Sequence, residues 1–305
     1  MKLGLVTAIF DSLDYRQTMQ AMGELGLEAA EVACWPAGKA ERRYAGVSHI
    51  DVDRVLADDD YSQSVLSCAD ENGIQITNLA YYPNNLDADL ERRGAANDHL
   101  KNVIAAAQKL GVNSVGTFIG RMQDRTVEEN LAEVKRVWPE LVAYAEDRGV
   151  KITIENCPML FSSDEWPGGQ NLMTTPALWD EIFSILDSDM FGLNFDPSHF
   201  VWQQMDYVKA VYDYRDKIFH VHFKDIKLLP EGLNRYGTMA YPLKFMSPKI
   251  PGLGDIDWDR FVSALTDIGY DGGACIEVED RSFEGSDELV KKSVAQAARY
   301  MRNFV

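Results

Sequence analysis

The chain has 305 residues, of which 46% are hydrophobic and 26% charged, and these ordinary globular values exclude a disordered or low-complexity protein. Its 48 acidic residues outnumber its 30 basic ones, and a formal net charge of −18 disfavours nucleic acid and anionic membranes as partners. A local basic pocket for an anionic substrate stays compatible with this charge, and no apolar run reaches the length of a transmembrane helix.

Cysteine usage and the first residues both favour a cytoplasmic location. The cysteines, Cys34, Cys68, Cys157 and Cys275, form no C-x-x-C pair, and a chain of this length does not need disulfide bonds to fold. The opening segment, MKLGLVTAIFDS, has no long apolar region and no small-residue cleavage site, so it predicts a first strand rather than a signal peptide. We expect reduced thiols in a cytoplasmic protein.

Short apolar runs recur along the chain and predict eight strands. A glycine that ends a helical pattern is followed directly by an apolar residue at five places, which indicates repeated helix-to-strand units. These glycines are Gly26, Gly73, Gly111, Gly149 and Gly269. The predicted strands are Lys2–Val6, Ala29–Ala33, Gln75–Leu79, Ser114–Phe118, Lys151–Ile154, Phe191–Phe195, Ile218–Phe223 and Ala274–Val278.

The segments between these runs have the apolar spacing and the end signals of amphipathic helices. Thr126 and Glu129 predict a capping box at the start of one helix. Pro176 stands where the first residue of another helix is expected, and Ser286 can cap the last helix. Strands that alternate with helices in this way are the units of an α/β fold.

Eight strands separated by helices favour a (β/α)8 TIM barrel, as a single domain that covers residues 1–305. A doubly wound open sheet is the alternative, but no G-x-G-x-x-G motif follows the first strand. Two longer predicted loops, Cys157–Met173 and Lys227–Gly254, each follow a strand. Both should therefore lie at the carboxyl ends of the strands, where barrels of this kind keep their active sites.

The fifth to eighth predicted strands each end in a side chain that can bind a metal ion. These side chains are Glu155, Asp196, His222 and Glu277. Carboxylates at the ends of adjacent parallel strands repel one another unless a cation lies between them. Three carboxylates and one imidazole suit Mn²⁺ best, with Mg²⁺, Co²⁺ and Zn²⁺ as alternatives, so we expect one divalent metal ion as cofactor.

From the fifth strand onward the chain resembles the xylose isomerase-like superfamily of TIM barrels, which holds sugar phosphate isomerases and epimerases, inosose-processing enzymes and endonuclease IV-type nucleases. The closest likeness is to the branch of one-metal ketose 3-epimerases and inosose isomerases. The motifs that carry the resemblance are Glu155 in IEN, Asp196 with His199 in DPSH, His222 in HVHFKD, PGLGDIDW at 251–258, and Glu277 in IEVED.

The resemblance implies roles for particular residues. Glu155, Asp196, His222 and Glu277 match the metal ligands of the family, and Glu155 and Glu277 also match the pair that moves protons in the epimerases. His199 matches a histidine that contacts oxygens of the substrate. The implied activity is that of a metal-dependent sugar isomerase or epimerase.

The chain departs from the epimerase pattern at two places. The epimerases carry a further glutamate six residues past the first ligand and an arginine six residues past the histidine ligand. Here those places are held by Phe161 and Leu228. This departure weighs against a free ketose as the substrate.

Other side chains near the strand ends are candidates for substrate binding. Lys224 can hold a substrate oxygen or only neutralise the ligand carboxylates. Trp35 follows the second strand and can stack on the apolar face of a sugar ring, or serve as a rim or core residue. Arg121 follows the fourth strand and can meet an anionic group, the alternative being an ion pair with Glu128 or Glu129.

Three further groups lie near the predicted ligands in sequence and have other interpretations. Asp255 and Asp257 lie in the PGLGDIDW turn, where Asp257 can cap the following helix. Cys157 and Cys275 lie close to the ligands in sequence, but the chemistry does not need thiols, so we treat them as packing residues. His220 shares a strand face with His222 and is a reserve acid or base.

The expected chemistry begins with removal of a proton beside a carbonyl group, which leaves an enediolate. Return of the proton to the opposite face gives an epimer, and return to the neighbouring carbon gives an isomer. Loss of a β-substituent would instead make the protein a dehydratase or lyase acting on a keto-sugar or inosose. The sequence does not choose among these outcomes, nor does it identify the sugar-like substrate or say whether it is phosphorylated.

Two remote alternatives belong to other functional classes. A nuclease that hydrolyses damaged DNA would use three zinc ions and many histidines, whereas this chain has five histidines and a strongly acidic composition. A non-catalytic sugar-binding barrel would need no pair of groups for proton transfer. The expected partner is therefore a small sugar-like molecule, with no nucleic acid or membrane, and a homo-oligomer is left open.

Overall fold

A computed structural model describes residues 1–36, 45–160 and 168–305 of the chain. The described strands are β1 Lys2–Val6, β2 Ala29–Ala33, β3 Gln75–Ala80, β4 Ser114–Thr117, β5 Lys151–Glu155, β6 Phe191–Phe195, β7 Ile218–Phe223, β8 Asp225–Leu228, β9 Met246–Lys249 and β10 Gly273–Ile276. Eight of them form a closed parallel barrel in the order β1-β10-β7-β6-β5-β4-β3-β2, and β8 and β9 form a separate hairpin.

At least one α-helix follows each barrel strand in the chain. The described α-helices are α1 Tyr15–Glu24, α2 Val52–Ala57, α3 Asp59–Glu71, α4 Leu90–Leu110, α5 Val127–Glu146, α6 Pro176–Ile185, α7 Ser198–Trp202, α8 Tyr207–Asp213, α9 Pro230–Tyr236, α10 Trp258–Asp267 and α11 Asp287–Met301. In the part of the chain that the structure describes, none of these helices combines the length and apolarity needed to cross a membrane.

The predicted barrel is confirmed, and the open doubly wound sheet is wrong. Four predicted strands, β1, β2, β6 and β7, have the predicted bounds, and the other four differ by one or two residues at one or both ends. All five helix-ending glycines have a positive φ, between 64° and 72°, a conformation that costs glycine nothing. The local end signals therefore mark the strand and helix boundaries closely.

The predicted helix caps are also present. Thr126 and Glu129 form both hydrogen bonds of a capping box at the start of α5. Pro176 occupies the first turn of α6, and the side chain of Ser286 accepts a hydrogen bond from the backbone at the start of α11. These caps satisfy backbone N–H groups that have no partner within their own helix.

The segment Lys227–Gly254 is not the loop that the sequence predicts. It contains most of the antiparallel hairpin of β8 and β9, with α9 between the two strands. The hairpin packs on its own small core of Trp202, Ile226 and Phe245. Its strands have four residues each and carry charged residues and a proline, so their apolar pattern is too short to separate from that of a loop.

The other predicted loop, Cys157–Met173, is described only at its two ends. Residues 157–160 and 168–173 leave β5 and lead towards α6. Residues 161–167, which include Phe161, lie outside the described residues.

Two kinds of side chain fill the space around the sheet. Large apolar residues such as Trp138, Trp179 and Phe261 are buried between the strands and the surrounding helices. The barrel strands also carry buried polar and charged side chains, and Glu31 and His222 are among them. Buried polar groups cost free energy unless they are hydrogen-bonded or bind a ligand, so the carboxyl end of the barrel is where a site is expected.

Candidate metal and active site

The structure brings the four predicted metal ligands together at the carboxyl ends of adjacent strands. Glu155 ends β5, Asp196 follows β6, His222 lies in β7 and Glu277 follows β10. Each offers one ligand atom, and these four atoms all lie within 4.8 Å of one another. The parallel register of the sheet produces this convergence from residues that are far apart in sequence.

One ligand atom of each side chain is buried without a normally oriented hydrogen bond. These atoms are Oε1 of Glu155, Oδ2 of Asp196, Nδ1 of His222 and Oε2 of Glu277. Leaving a buried polar atom unpaired costs about 1–3 kcal/mol, and more when it is charged. A divalent cation among the four would satisfy all of them at once, so these residues fit a metal ion.

The electrostatics of the cluster also favour a positive charge at this point. Burial opposes ionisation of Glu155, yet close contacts with two histidines and the charges of a histidine and a lysine lower its pKa. Burial raises the pKa of Glu277, and the charge of Glu155 adds to this effect against the opposing charge of Lys224. Burial disfavours a protonated His222, but Glu31 and the ligand glutamates raise its pKa well above the usual value. A proton and a divalent ion thus compete for the same position.

His199 lies beside the ligands rather than apart from them. Its Nε2 atom is 3.1 Å from Oδ2 of Asp196 and 3.4 Å from Oε1 of Glu155, and the side chain is buried. It belongs to the short helix α7 that follows Asp196, and it lines the main cavity. From this place it can contact an oxygen of a molecule bound at the ligands.

Lys224 follows β7 and is buried among carboxylates. Its Nζ atom is 2.7 Å from Oε2 of Glu279, 3.3 Å from Oε1 of Glu277 and 4.0 Å from Oδ2 of Asp196. Burial disfavours the ammonium form, but Glu277, Glu279 and Asp196 together raise the pKa of Lys224 well above its usual value. Lys224 therefore neutralises ligand carboxylates, and it also lines the cavity.

A cavity of about 1230 Å³ opens over the ligands at the carboxyl end of the barrel. Trp35 is half-buried in its wall, with its ring centroid 4.9 Å from that of Tyr81 in an edge-on contact. The hairpin side contributes apolar residues, among them Met246 and Pro248. The cavity is thus polar where the ligands lie and apolar along much of its wall, as in sites for small organic molecules.

Arg121 lies in the wall of this cavity and forms no ion pair with Glu128 or Glu129. Within the described ranges Glu129 lies near Arg125 instead, at 3.6 Å, and caps α5. The backbone of Arg121 is held on both sides by Asn84, whose side chain accepts from Arg121 N at 2.8 Å and donates to its carbonyl at 2.8 Å. The ion pair weighed from the sequence is therefore absent from the described residues.

The guanidinium of Arg121 also lacks a partner for one buried donor. Its Nε atom has no hydrogen bond among the described residues, and burial lowers the pKa of the group. Gly168 packs against it so closely that a Cβ there would lie 2.5 Å from Cζ. The side chain is thus held in place with unused donor capacity.

Sequence reasoning missed Glu31, the carboxylate beneath the ligands. It lies in β2, a strand of five buried residues, and is itself fully buried. Its Oε2 atom is 3.0 Å from Nε2 of His222, the imidazole nitrogen that faces away from the ligand cluster. A charged residue inside the apolar run AAEVA was the available signal.

The cysteines have different surroundings. Cys275 is fully buried, with its Sγ atom 3.7 Å from Nε2 of His220, in agreement with a packing role. Cys157 is only partly buried and lines the cavity beside Glu155 and His199. The interpretation of Cys157 as a packing residue alone is therefore incomplete.

The turn 251–258 is organised by Asp225, which the sequence did not single out. The Asp225 carboxylate accepts hydrogen bonds from the backbone of Gly252, Gly254 and Ile256, and from Nε1 of Trp258 at 3.0 Å. A Cβ at Gly254 would lie 2.1 Å from its Oδ1 atom. The shape of the turn thus depends on close packing between the buried Asp225 carboxylate and Gly254.

The two aspartates of this turn act on the backbone. Asp257 caps α10, as the sequence predicts, by accepting from Arg260 N. Asp255 accepts from the backbone of Leu228 at 2.7 Å, and Leu228 packs on the hairpin core instead of reaching the ligands. Leu228 therefore supplies no positive charge where the epimerases of the resembled family have an arginine.

Comparison with known proteins agrees with this geometry. The family model described as "Xylose isomerase-like TIM barrel" matches residues 19–304. An inosose dehydratase from Lacticaseibacillus casei is 29% identical over 113 residues, which are 36% of this chain and 38% of that protein. The chain spans only about half, or less, of the length of the curated relatives it matches.

Two solved structures illustrate the likeness of fold. D-psicose 3-epimerase from Clostridium cellulolyticum H10, solved with D-tagatose, is 17% identical with a TM-score of 0.69, over 100% of this chain and 99% of that chain. The IOLI protein with a bound zinc atom is 20% identical with a TM-score of 0.69, over 100% of this chain and 96% of that chain. At these identities the likeness concerns the fold alone.

Proposed function

This chain belongs to the xylose isomerase-like TIM barrel family, and on that premise we propose that it is a divalent-metal-dependent isomerase or epimerase of a sugar-like polyhydroxylated carbonyl compound. The matched region covers nearly the whole chain, including all four ligand positions. The proposal also takes Mn²⁺ as the preferred ion, because the donor set combines three carboxylates with one imidazole.

The observation that carries the proposal is the set of four buried ligand atoms that converge without normal hydrogen bonds of their own. Glu155, His222 and Glu277 also line the cavity, so a bound molecule can reach the same point. Buried carboxylates used only for stability would be paired by donors from the protein. This arrangement supports a site that holds a cation and a substrate together.

Proton transfer falls to Glu155 and Glu277. A bound divalent ion supplies Lewis acidity, which polarises a carbonyl group and stabilises the negative charge that develops on its oxygen. One glutamate removes the proton beside that carbonyl and the other returns one. The two approach His222 from different strands, at 3.6 and 3.2 Å from Nδ1, so both carboxylates reach the proposed ion position.

His199 and Lys224 position the substrate and balance charge. His199 lies within 3.4 Å of two ligand carboxylate oxygens and can hydrogen-bond a substrate hydroxyl or carbonyl at the same place. Lys224 offsets the negative charge of Glu277 and Glu279, which lowers the cost of keeping several carboxylates in one buried site.

The cavity walls contribute the remaining specificity. A cavity of about 1230 Å³ has room for more than a single six-membered ring. Trp35 offers an aromatic surface for the C–H face of a ring. Arg121, with its unused donor, offers a binding point for an anionic group such as a carboxylate or phosphate of the substrate.

Dehydration of a keto-sugar or inosose is the second candidate. The curated relative with 29% identity is an inosose dehydratase. Dehydration would follow from the same proton removal and the loss of a β-hydroxyl group, and that hydroxyl needs a proton as it leaves. The glutamate that removed the proton would return it to the leaving hydroxyl, and Lys224, in the cavity wall 3.3 Å from Glu277, would hold that hydroxyl by its positive charge.

The test is a screen for proton exchange in D₂O. The protein, with Mn²⁺ added, is incubated with keto-sugars, inososes and their phosphates, and quenched mixtures are analysed by mass spectrometry. An isomerase or epimerase forms a product with the molecular formula of the substrate, apart from hydrogen exchanged for deuterium. A dehydratase forms an unsaturated carbonyl product that has lost water. A protein that holds the metal and binds sugars but exchanges no proton would be the non-catalytic barrel, and the proposal would be wrong.

A further inference from the structure

The carboxylate of Glu31 spans the barrel interior to reach the histidine of the ligand cluster. Glu31 is on β2 and His222 is on β7, and these strands are not neighbours in the barrel. Oε2 of Glu31 lies 3.0 Å from Nε2 of His222, and both side chains are buried. The other imidazole nitrogen, Nδ1, faces the ligand oxygens of Glu277 at 3.2 Å and Glu155 at 3.6 Å.

Glu31 is itself held in place by neutral donors. Its carboxylate accepts hydrogen bonds from Nδ2 of Asn78 at 2.9 Å, from Nδ2 of Asn194 at 3.2 Å and from the hydroxyl of Tyr82 at 2.8 Å. Three neutral donors thus fix the carboxylate in place behind the imidazole.

This carboxylate decides which nitrogen of His222 carries the proton. The amide of Asn194 also approaches Nε2, at 2.8 Å, but its two hydrogens have other acceptors in Glu31 and in the Tyr82 oxygen at 2.8 Å. A hydrogen bond to a carboxylate is roughly twice as strong as a neutral one. Nε2–H of His222 therefore donates to Glu31, and the lone pair of Nδ1 points at the ligand cluster.

The neighbouring histidine does not compete for this role. Nδ1 of His220 lies 3.1 Å from Oδ1 of Asn194, and Nε2 lies 3.2 Å from the hydroxyl of Thr77. A neutral ring satisfies both contacts, by donating from Nδ1 and accepting at Nε2. Both nitrogens of His220 thus have partners of their own, away from Nδ1 of His222.

We propose that Glu31 is a positioning residue of the metal site: by accepting Nε2–H of His222 it fixes the tautomer and the ring orientation in which Nδ1 can bind the ion. The inference rests on the proposed metal site and goes beyond it, because Glu31 touches neither the ion position nor the cavity. Carboxylates behind metal-binding histidines raise the basicity of the ring and typically account for a 10- to 100-fold effect on metal affinity.

The test compares the metal affinity of Glu31→Gln with that of the unaltered chain by calorimetric titration with Zn²⁺ and with Mn²⁺. Glutamine keeps the shape but removes the charge, so we expect binding about 10- to 100-fold weaker. Tyr82→Phe is the matched control: it removes a neutral donor to the same carboxylate but leaves the contact with His222, and its affinity should stay within about threefold. Equal affinities of Glu31→Gln and the unaltered chain would overturn the inference.

A second measurement covers the case in which Glu31→Gln does not fold. In the unaltered chain labelled with ¹⁵N-histidine and loaded with Zn²⁺, the ring of His222, assigned by its loss in His222→Gln, should be protonated at Nε2 and bound to zinc through Nδ1. Zinc on Nε2, or a proton absent from it, would refute the role of Glu31. If the unaltered chain binds no metal at all, the proposed metal site is wrong and the inference about Glu31 is wrong with it. If the unaltered chain binds metal and Glu31→Gln binds it equally well, only the inference about Glu31 is wrong.

Discussion

Oε2 of Glu277 lies 3.2 Å from Nδ1 of His222, and neither atom forms a normally oriented hydrogen bond in the described part of the chain. Neighbouring ligands of an octahedral ion with bonds of about 2.1–2.2 Å are themselves about 3 Å apart. The pair therefore has the spacing of two ligands that share one ion.

Metal content should be about one divalent ion per chain when the protein is purified without chelators. Addition of Mn²⁺ to stripped protein should raise the Tm, because an ion that binds only the native state stabilises it. Elemental analysis and a thermal melt measure the two quantities. Three zinc ions per chain would favour the nuclease class, and a protein without metal and without a shift in Tm would have no metal site.

Substitution of Glu155 or Glu277 by glutamine should separate proton transfer from metal binding. Glutamine keeps an oxygen ligand of nearly the same shape but cannot accept the proton. We expect metal to be retained, if more weakly, while deuterium exchange falls on the order of a hundredfold or more at saturating metal.

Asp196→Asn is the matched comparison for those two variants. We assign Asp196 to metal binding and not to proton transfer. The activity of the Asp196→Asn variant should therefore fall in proportion to its metal content and be partly restored by excess Mn²⁺. Near-normal exchange in both Glu→Gln variants with metal bound would make the glutamates ligands only. Lys224, which lines the cavity, would then be the next group to test, whereas His220 is buried with partners at both nitrogens.

His199→Ala should leave the metal in place and weaken the hold on the substrate. The ring is a neighbour of the ligand oxygens, and we assign it to substrate orientation rather than to ligation. Steady-state kinetics alongside metal quantification should show a raised KM or a lowered kcat at full metal occupancy. A metal content that falls together with activity would place His199 among the ligands instead.

Arg121→Gln should act selectively on anionic substrates. Loss of a charge-assisted hydrogen bond costs about 1.5–3 kcal/mol, which corresponds to a roughly tenfold to hundredfold rise in KM. The comparison is between a neutral keto-sugar and its carboxylate or phosphate analogue, with Arg125→Gln as a control, since Arg125 is exposed and lies near Glu129. An equal change for neutral and anionic substrates would remove the assignment.

Asp225→Asn should lower the free energy of unfolding by about 1–3 kcal/mol, since the amide would turn a donor group towards backbone N–H groups that need an acceptor. Denaturant unfolding of the metal-free protein measures the change. Asp255→Asn, at a more exposed hydrogen bond of the same turn, should cost less. Equal effects of the two variants would show that the buried carboxylate does not organise the turn.

Sequence patterns were sufficient for the barrel because its local signals agree with one another. Glycine stops, caps and apolar runs each mark a boundary, and four strands follow at their predicted bounds. The convergence of the four candidate ligands was predictable for a related reason, since parallel strands bring their carboxyl ends to one edge. The sequence therefore indicates Glu155, Asp196, His222 and Glu277 as one cluster.

Contacts across the barrel could not be predicted in the same way. Glu31 and His222 are separated by 191 residues, and nothing in the period of a strand says which residues meet in the interior. The hairpin at residues 225–249 was missed because its strands are short and partly polar. The surroundings of Arg121 were missed because Asn84 and Gly168, which hold it, come from other loops.

The contact between β2 and β7 also joins the two halves of the chain. Every proposed ligand comes from the second half, β5 to β10, whereas the carboxylate behind His222 comes from the first. A half-barrel that began at β5 would therefore encode all four ligands yet lack the residue that orients one of them. If the proposed ion binds here, its occupancy and barrel closure are linked equilibria, and removing the ion should loosen amide protection in β2 as well as in β7.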